Sequence, residues 1–121
     1  MNKILCIDFD GVIHAYTSGW EASDVIKDGP VEGALDWLRS LIKSEEFKPC
    51  IYSSRSKDTM GREAMKIWLK KHGLEQELID RIDFPITKPP AWLTIDDRAF
   101  HFQGTFPTEQ AMSDFKPWNK Q

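Results

Sequence analysis

The chain has 121 residues, 40% of them hydrophobic, with 19 acidic and 16 basic side chains and a net charge of −3. That is enough for one globular domain with a real core and not for two, and the acidic balance argues against a generally basic nucleic-acid binder while allowing a local basic patch. No apolar run approaches the roughly 20 residues of a membrane-spanning helix, and the first residues show no signal-peptide pattern, so the expected setting is cytoplasmic with no membrane partner.

Ile4-Leu5-Cys6-Ile7 is a short apolar run that stops abruptly at Asp8-Phe9-Asp10-Gly11. Such a run reads as a strand buried on both faces, delivering its acids at the carboxyl edge of a parallel sheet, where open α/β sheets bind ligands. Side-chain alternation lets Asp8 and Asp10 share one side if the strand continues, and Gly11 lets the backbone turn away. Two close carboxylates repel, so a hard cation such as Mg²⁺ is expected between them. Asp and Gly are also ordinary turn residues, so the later strand ends have to decide. Residues 13–29 keep neither period and read as a flap-like loop rising from that edge. His14, Tyr16 and Trp20 in it either meet a substrate or pack the loop onto the domain.

Asp28-Gly29-Pro30 marks a helix start, and Val31, Ala34, Leu35, Leu38, Leu41 and Ile42 form its apolar face as far as Lys43 or Ser44. A second buried run, Cys50-Ile51-Tyr52, stops at Ser53-Ser54-Arg55-Ser56. Cys6 and Cys50 thus both lie in buried strands, as reduced thiols rather than a disulfide. The next helix should run from about Lys57 or Asp58 to His72, closed by Gly73, with Met60, Ala64, Ile67 and Trp68 facing the core. A strand–helix junction of this kind suits a phosphate, and Ser54 or Ser56 can equally cap the helix. Leu74 to Arg81 is a shorter helical pattern with Leu74, Leu78 and Ile79 inside, and Ile82 to Ile86 a short strand interrupted by Pro85. Thr87-Lys88-Pro89-Pro90 holds Lys88 on a stiff extended segment. Ala91 to Ile95 is a strand ending in Asp96-Asp97-Arg98. Phe100, Phe102 and Phe106 point to a final strand and turn, Thr108 to Phe115 to a last helix, and residues 116–121 to a polar tail in which Trp118 packs.

Three strands therefore end in a pair of alternating acids, in Ser-Ser-Arg and in Asp-Asp, with a lysine before the third. In this the chain resembles the haloacid dehalogenase-like (HAD) superfamily over essentially its whole length. The four motifs occur in order: Ile4 to Val12, Cys50 to Ser53, Lys88, and Thr94 to Asp97. The resemblance implies a single Rossmann-like three-layer α/β domain over residues 1–121, with a mostly parallel central sheet of about five strands, helices on both faces and no full cap domain. It implies a Mg²⁺-dependent phosphohydrolase in which Asp8 is the nucleophile that becomes an aspartyl-phosphate and Asp10 the general acid/base. Ser53, chosen over Ser54 because the family often shows a hydroxyl residue, a small residue and then arginine, would bind a phosphoryl oxygen, and Lys88 would neutralise nucleophile and phosphoryl group. The metal would be held by Asp8, the main-chain carbonyl of Asp10, and Asp97 with Asp96 close behind. Gly11, His14, Trp20, Ser54 and Arg55 are candidate substrate contacts, and Arg55, Lys57 and Arg62 stand where a second phosphate would be met. A capless site suits a phosphate on a large molecule such as a nucleic-acid end or a phosphoprotein, or a small nucleotide if a partner subunit in a homo-oligomer closes the site. The alternatives are a polynucleotide-end or nucleotide phosphatase or phosphotransferase, and a non-catalytic metal- and phosphate-binding regulatory module.

Overall fold

β1 (Lys3–Ile7) is the centre of the sheet, flanked by β2 (Phe47–Ile51) and β3 (Leu93–Ile95), both parallel to it, in the order β2-β1-β3. The structure is a computed structural model that describes residues 3–120, so the last residue of the expected tail, Gln121, lies outside the described residues. The helices are α1 (Ala34–Ser44), α2 (Thr59–Lys71), α3 (Gln76–Ile79) and α4 (Glu109–Ser113), followed by a 3₁₀ turn at Trp118–Lys120. None is long and apolar enough to cross a membrane.

The architecture is mixed α/β on a parallel sheet, with three strands where about five were expected. Ile82 to Ile86 contributes one parallel bridge, Asp83 to Cys50, with Ile51 N donating to Asp83 O at 2.9 Å and Asp83 N to Pro49 O at 3.0 Å. Pro85 cannot donate to a ladder, and the pairing ends there. No strand forms over Phe100 to Phe106, whose aromatic rings are exposed.

The core lies on one face of the sheet. Leu5 and Ile7 of β1 and Ile51 of β2 join Ala34, Leu38 and Ile42 of α1, Met65, Trp68 and Leu69 of α2, and Leu78 and Ile79 of α3 in one cluster. Alternation sends Cys6, with its register partners Cys50 and Thr94, to the opposite face. Helices on both faces were expected, yet α1, α2 and α3 all feed the same core. The return to β3 explains this: residues 85–92 include Pro85, Pro89 and Pro90 and fall short of the dozen or so that a helical crossover needs.

α1 begins later than Pro30 because residues 13–15 pair with 29–31: Val31 N donates to Ile13 O at 2.8 Å and Ala15 N to Gly29 O at 2.9 Å. Gly33 then takes a left-handed conformation, φ 82°, before the helix starts at Ala34. The loop of residues 13–29 is thereby closed at its base. α2 has nearly its expected ends, but its buried residues are Gly61, Met65, Trp68 and Leu69, while Met60 and Ile67 are exposed. The inward face is rotated by one residue, about 100°. Gly61 sets that rotation, since it packs directly on the Arg55 carbonyl and a Cβ there would overlap the oxygen. Cys6 and Cys50 are free, buried thiols on neighbouring strands, and burial followed by the nearby Asp83 charge pushes the Cys50 thiol up to about 11.

Gly61→Ala should therefore cost about 1–3 kcal/mol, because backbone rather than a flexible side chain has to give way. Denaturant unfolding checks this, and a loss under about 0.5 kcal/mol would contradict the close approach.

Candidate functional site

Asp8, Asp96 and Asp97 converge at the carboxyl edge of β1 and β3, each offering one oxygen within 4.8 Å of the others. The ladder continues one step past the strand, Asp8 N to Ile95 O at 2.9 Å, which fixes Asp8 beside the Asp96 backbone. Gly11 makes room for the third acid: its φ of 86° suits glycine, and a Cβ would overlap the Asp97 carboxylate. The Asp8 carboxyl is pushed up to about 8, first by burial, then by the Asp96 charge and by its hydrogen bond to Asp97. Asp97 is also raised, chiefly by burial, while accepting the Asp8 proton works against that rise. Without a cation, then, Asp8 keeps a proton and shares it with Asp97. An all-oxygen, partly buried and mutually repelling donor set fits a hard divalent cation such as Mg²⁺, with Asp8, Asp96 and Asp97 to hold it.

A cleft of about 180 Å³ opens beside the acids, lined by Cys6, Asp8, Tyr52, Ser53, Ser54, Lys88, Thr94 and Asp96. It lies on the sheet face opposite the core. Two strand ends, the turn after a third and the proline-stiffened lysine thus meet at one opening. Lys88 has no ion pair among the described residues, so its ammonium is available to a ligand. The Ser53 hydroxyl accepts from Arg55 N at 2.9 Å and faces Met65 Sδ at 3.8 Å. Sulfur is a weak acceptor, so turning that proton toward a phosphoryl oxygen would cost little. Cys6, Tyr52 and Thr94 were not singled out from sequence, although Cys6 and Thr94 each stand two residues before an acid of the cluster and so share its face.

Asp10 points elsewhere. Both its oxygens accept from Arg55 Nε at 3.1 Å, and His14 Nδ1 lies 2.9 Å from Oδ1. The Asp28 backbone N–H donates to His14 Nε2 at 3.1 Å, which leaves Nδ1 as the donor to Asp10. Arg55 is fully buried, and its Nη1 donates to the carbonyls of Ala22, Ser23 and Val25 at 2.9–3.0 Å. Sequence offered His14 as a substrate contact or a loop-packing residue and Arg55 as a substrate contact; in the structure both fasten the 13–29 loop to Asp10, because a cation out of water must be paired. Trp20 stays accessible, with its ring 4.8 Å from the Arg55 guanidinium. Lys57 is exposed, and Arg62 binds Ser56 O and Thr59 Oγ1. The strand–helix junction is not direct: a turn over residues 54–57 intervenes and α2 begins at Thr59, so neither Ser54 nor Ser56 caps it. Ser56 Oγ accepts from Ser53 N instead, at 2.9 Å.

The raised Asp8 carboxyl has a definite sign. The unfolded chain loses this proton near pH 4 and the folded chain near 8, so the contribution of Asp8 to metal-free stability is fully present below about pH 4 and is lost as pH rises through that window. Melting in a chelator should show a falling midpoint from about pH 5 to 8 that Asp8→Asn flattens, and Mg²⁺ should raise the pH 8 midpoint in the unsubstituted protein but not in Asp97→Ala. A Mg²⁺ shift that survives Asp97→Ala would put the ion elsewhere.

No family model, no curated protein and no solved structure matches this chain.

Proposed function

We propose that the chain is a Mg²⁺-dependent phosphomonoesterase of the HAD type, working through an aspartyl-phosphate on Asp8. The observation that carries this reading is the meeting of Asp8, Ser53, Lys88 and Asp96 at one cleft beside a carboxylate cluster that could hold a cation. The sheet supports it too: the order β2-β1-β3 with Asp83 bridged outside β2 suits a reduced Rossmann-like core with its acids at the carboxyl edge.

A bound divalent cation would supply positive charge that favours ionised Asp8 and screens it from an anionic substrate. The Asp8 carboxylate attacks phosphorus as the bond to the leaving oxygen breaks. Lys88 neutralises charge on the nucleophile and the phosphoryl oxygens, and Ser53 donates one hydrogen bond. Water then releases phosphate and restores Asp8. Asp10 is the group nearest in sequence that can give the leaving oxygen a proton and later take one from water, but to do so its side chain must turn from Arg55 and His14 toward the cleft. That same pairing favours a second reading, a module that binds metal and phosphate without turnover.

Phosphate release from small monoesters, with and without Mg²⁺, separates the two readings. Asp8→Asn should keep the fold and lose turnover, since an amide does not attack phosphorus. Lys88→Ala should lower kcat by about 10²–10³, the loss expected for one preorganised electrostatic partner, and Lys88→Arg should recover little. Activity within tenfold of the unsubstituted protein in Asp8→Asn would remove the nucleophile assignment, and metal-dependent phosphate binding without release would leave the module.

A further inference from the structure

The chain that leaves the acid turn carries apolar side chains that it does not bury. Arg98, Ala99 and Phe100 line an apolar groove of about 230 Å³ together with Ala111 and Met112 of α4 and Phe115 just after it. Phe102, next but one to Phe100, packs on Phe106 with ring centroids 5.0 Å apart. Phe106 in turn lies two residues before Thr108, which caps α4 by accepting from Ala111 N at 3.1 Å. The Phe102–Phe106 pair therefore joins the two walls of the groove along the chain. Phe106 is 87% exposed, more than any other large apolar side chain among the described residues, and Phe100, Phe102, Met112 and Phe115 each stand about half in water.

At about 200 Å² for a side chain of this size, the five together leave roughly 600 Å² of apolar surface in water. The largest apolar patch of a typical monomer is about 300–600 Å², whereas one side of a standard interface takes about 800 Å², some 55–65% of it apolar. The exposed area thus matches the apolar share of one side of a dimer. The shape points to a second copy of the chain. A two-fold interface uses the same surface on both partners, so that surface must carry a projection and the hollow that receives it. Here Phe106 is the projection and the groove is the hollow, and since a cavity of about 150 Å³ already holds benzene, the groove admits a phenyl ring. The rim also carries both signs, Arg98 beside the groove and Glu109 and Asp114 at the ends of α4, so a two-fold axis can set unlike charges against each other. We propose that this face is the interface of a homodimer in which Phe106 of each copy fills the groove of the other. Arg98 N donates to Asp96 Oδ1 at 2.9 Å, so the paired segment starts at the acid turn, and dimerisation would hold the chain just beyond it.

Sedimentation equilibrium of the full chain over a concentration series reaching about 100 μM tests this, since K_d in the micromolar range is ordinary for an interface of this size. The mass should rise from 14.0 kDa to twice that value and no further. Phe106→Glu should raise the dimer dissociation constant on the order of 10²-fold or more, because each copy contributes one ring and both are lost together. Phe106 is so exposed that the monomer should keep its melting midpoint in that variant. Ala111→Phe, which fills the groove from within, should weaken the dimer as well, and Phe106→Leu should largely preserve it. Mixing Phe106→Cys with Ala111→Cys should give an oxidised cross-link between the two variants in preference to either with itself. A monomer throughout the series overturns the proposal, as does a dimer that Phe106→Glu leaves equally tight, which would put the interface elsewhere. A mass that climbs beyond two copies overturns the two-fold arrangement. A monomer that instead pellets with phosphatidylcholine vesicles, and no longer does so in Phe106→Glu, makes a lipid surface the occupant and overturns the dimer. None of these outcomes bears on phosphate release, so the phosphatase reading stands or falls separately.

Discussion

A guanidinium taken wholly out of water is the constraint around which the acidic edge is arranged. Arg55 is fully buried, and an unpaired cation there would cost several kcal/mol. Its demand is met by Asp10 from the turn after β1 and by three carbonyls of the 13–29 loop, with Trp20 over the cation. Those partners come from segments that share no regular secondary structure, so one side chain joins the loop, the β1 turn and the β2 turn. Its own carbonyl then decides how α2 approaches, because only a glycine at position 61 fits over it. The loop's second fastening, His14 between Asp10 and the Asp28 amide, uses the same carboxylate.

The strand period divides the labour between the two sheet faces. Leu5 and Ile7 of β1 enter the helical core, while Cys6 and, just past the strand, Asp8 face the cleft. A three-layer domain would cover the second face with a helix. Here the proline-rich return to β3 is too short for one, and the cleft occupies that side, with Lys88 brought to its edge. The openness of the site and the brevity of the crossover thus have one cause.

The strand ends were legible in sequence because each is a sharp switch from apolar to polar chemistry, and such a switch survives whatever packs around it. Asp8 and Asp96 just past two strand ends, Ser53 in the turn after β2 and Lys88 on the proline-stiffened segment line one cleft. The face of α2 was misread because Met60 and Ile67 are apolar at helical spacing, yet the rotation is set by a tertiary contact at Gly61 that no periodicity records. The start of α1 at Pro30 failed for a similar reason: Pro30 fits a first turn, but the antiparallel pairing of residues 13–15 with 29–31 holds it in an extended conformation. Arg55 stood in the sequence as a candidate substrate contact just beyond the second motif. Its burial depends on Asp10, 45 positions earlier, and on a loop without any period of its own.

Two aspartates separated by one residue end up in opposite electrostatic settings. Asp8 is surrounded by acids and keeps a proton until a cation replaces it, whereas Asp10 is surrounded by donors and lacks no positive partner. Phe9 separates them: its side chain is buried in the core, and its carbonyl accepts from the amides of Ile13 and His14 at 2.9 Å, so the chain has already left the strand when it reaches Asp10. Had the strand run on, Asp8 and Asp10 would have shared a face and added a fourth acid to the cluster. The turn at Phe9 moves that acid to Arg55, where it serves as counter-charge. It leaves Asp8, Asp96 and Asp97 as the set whose repulsion only a cation or a proton can relieve.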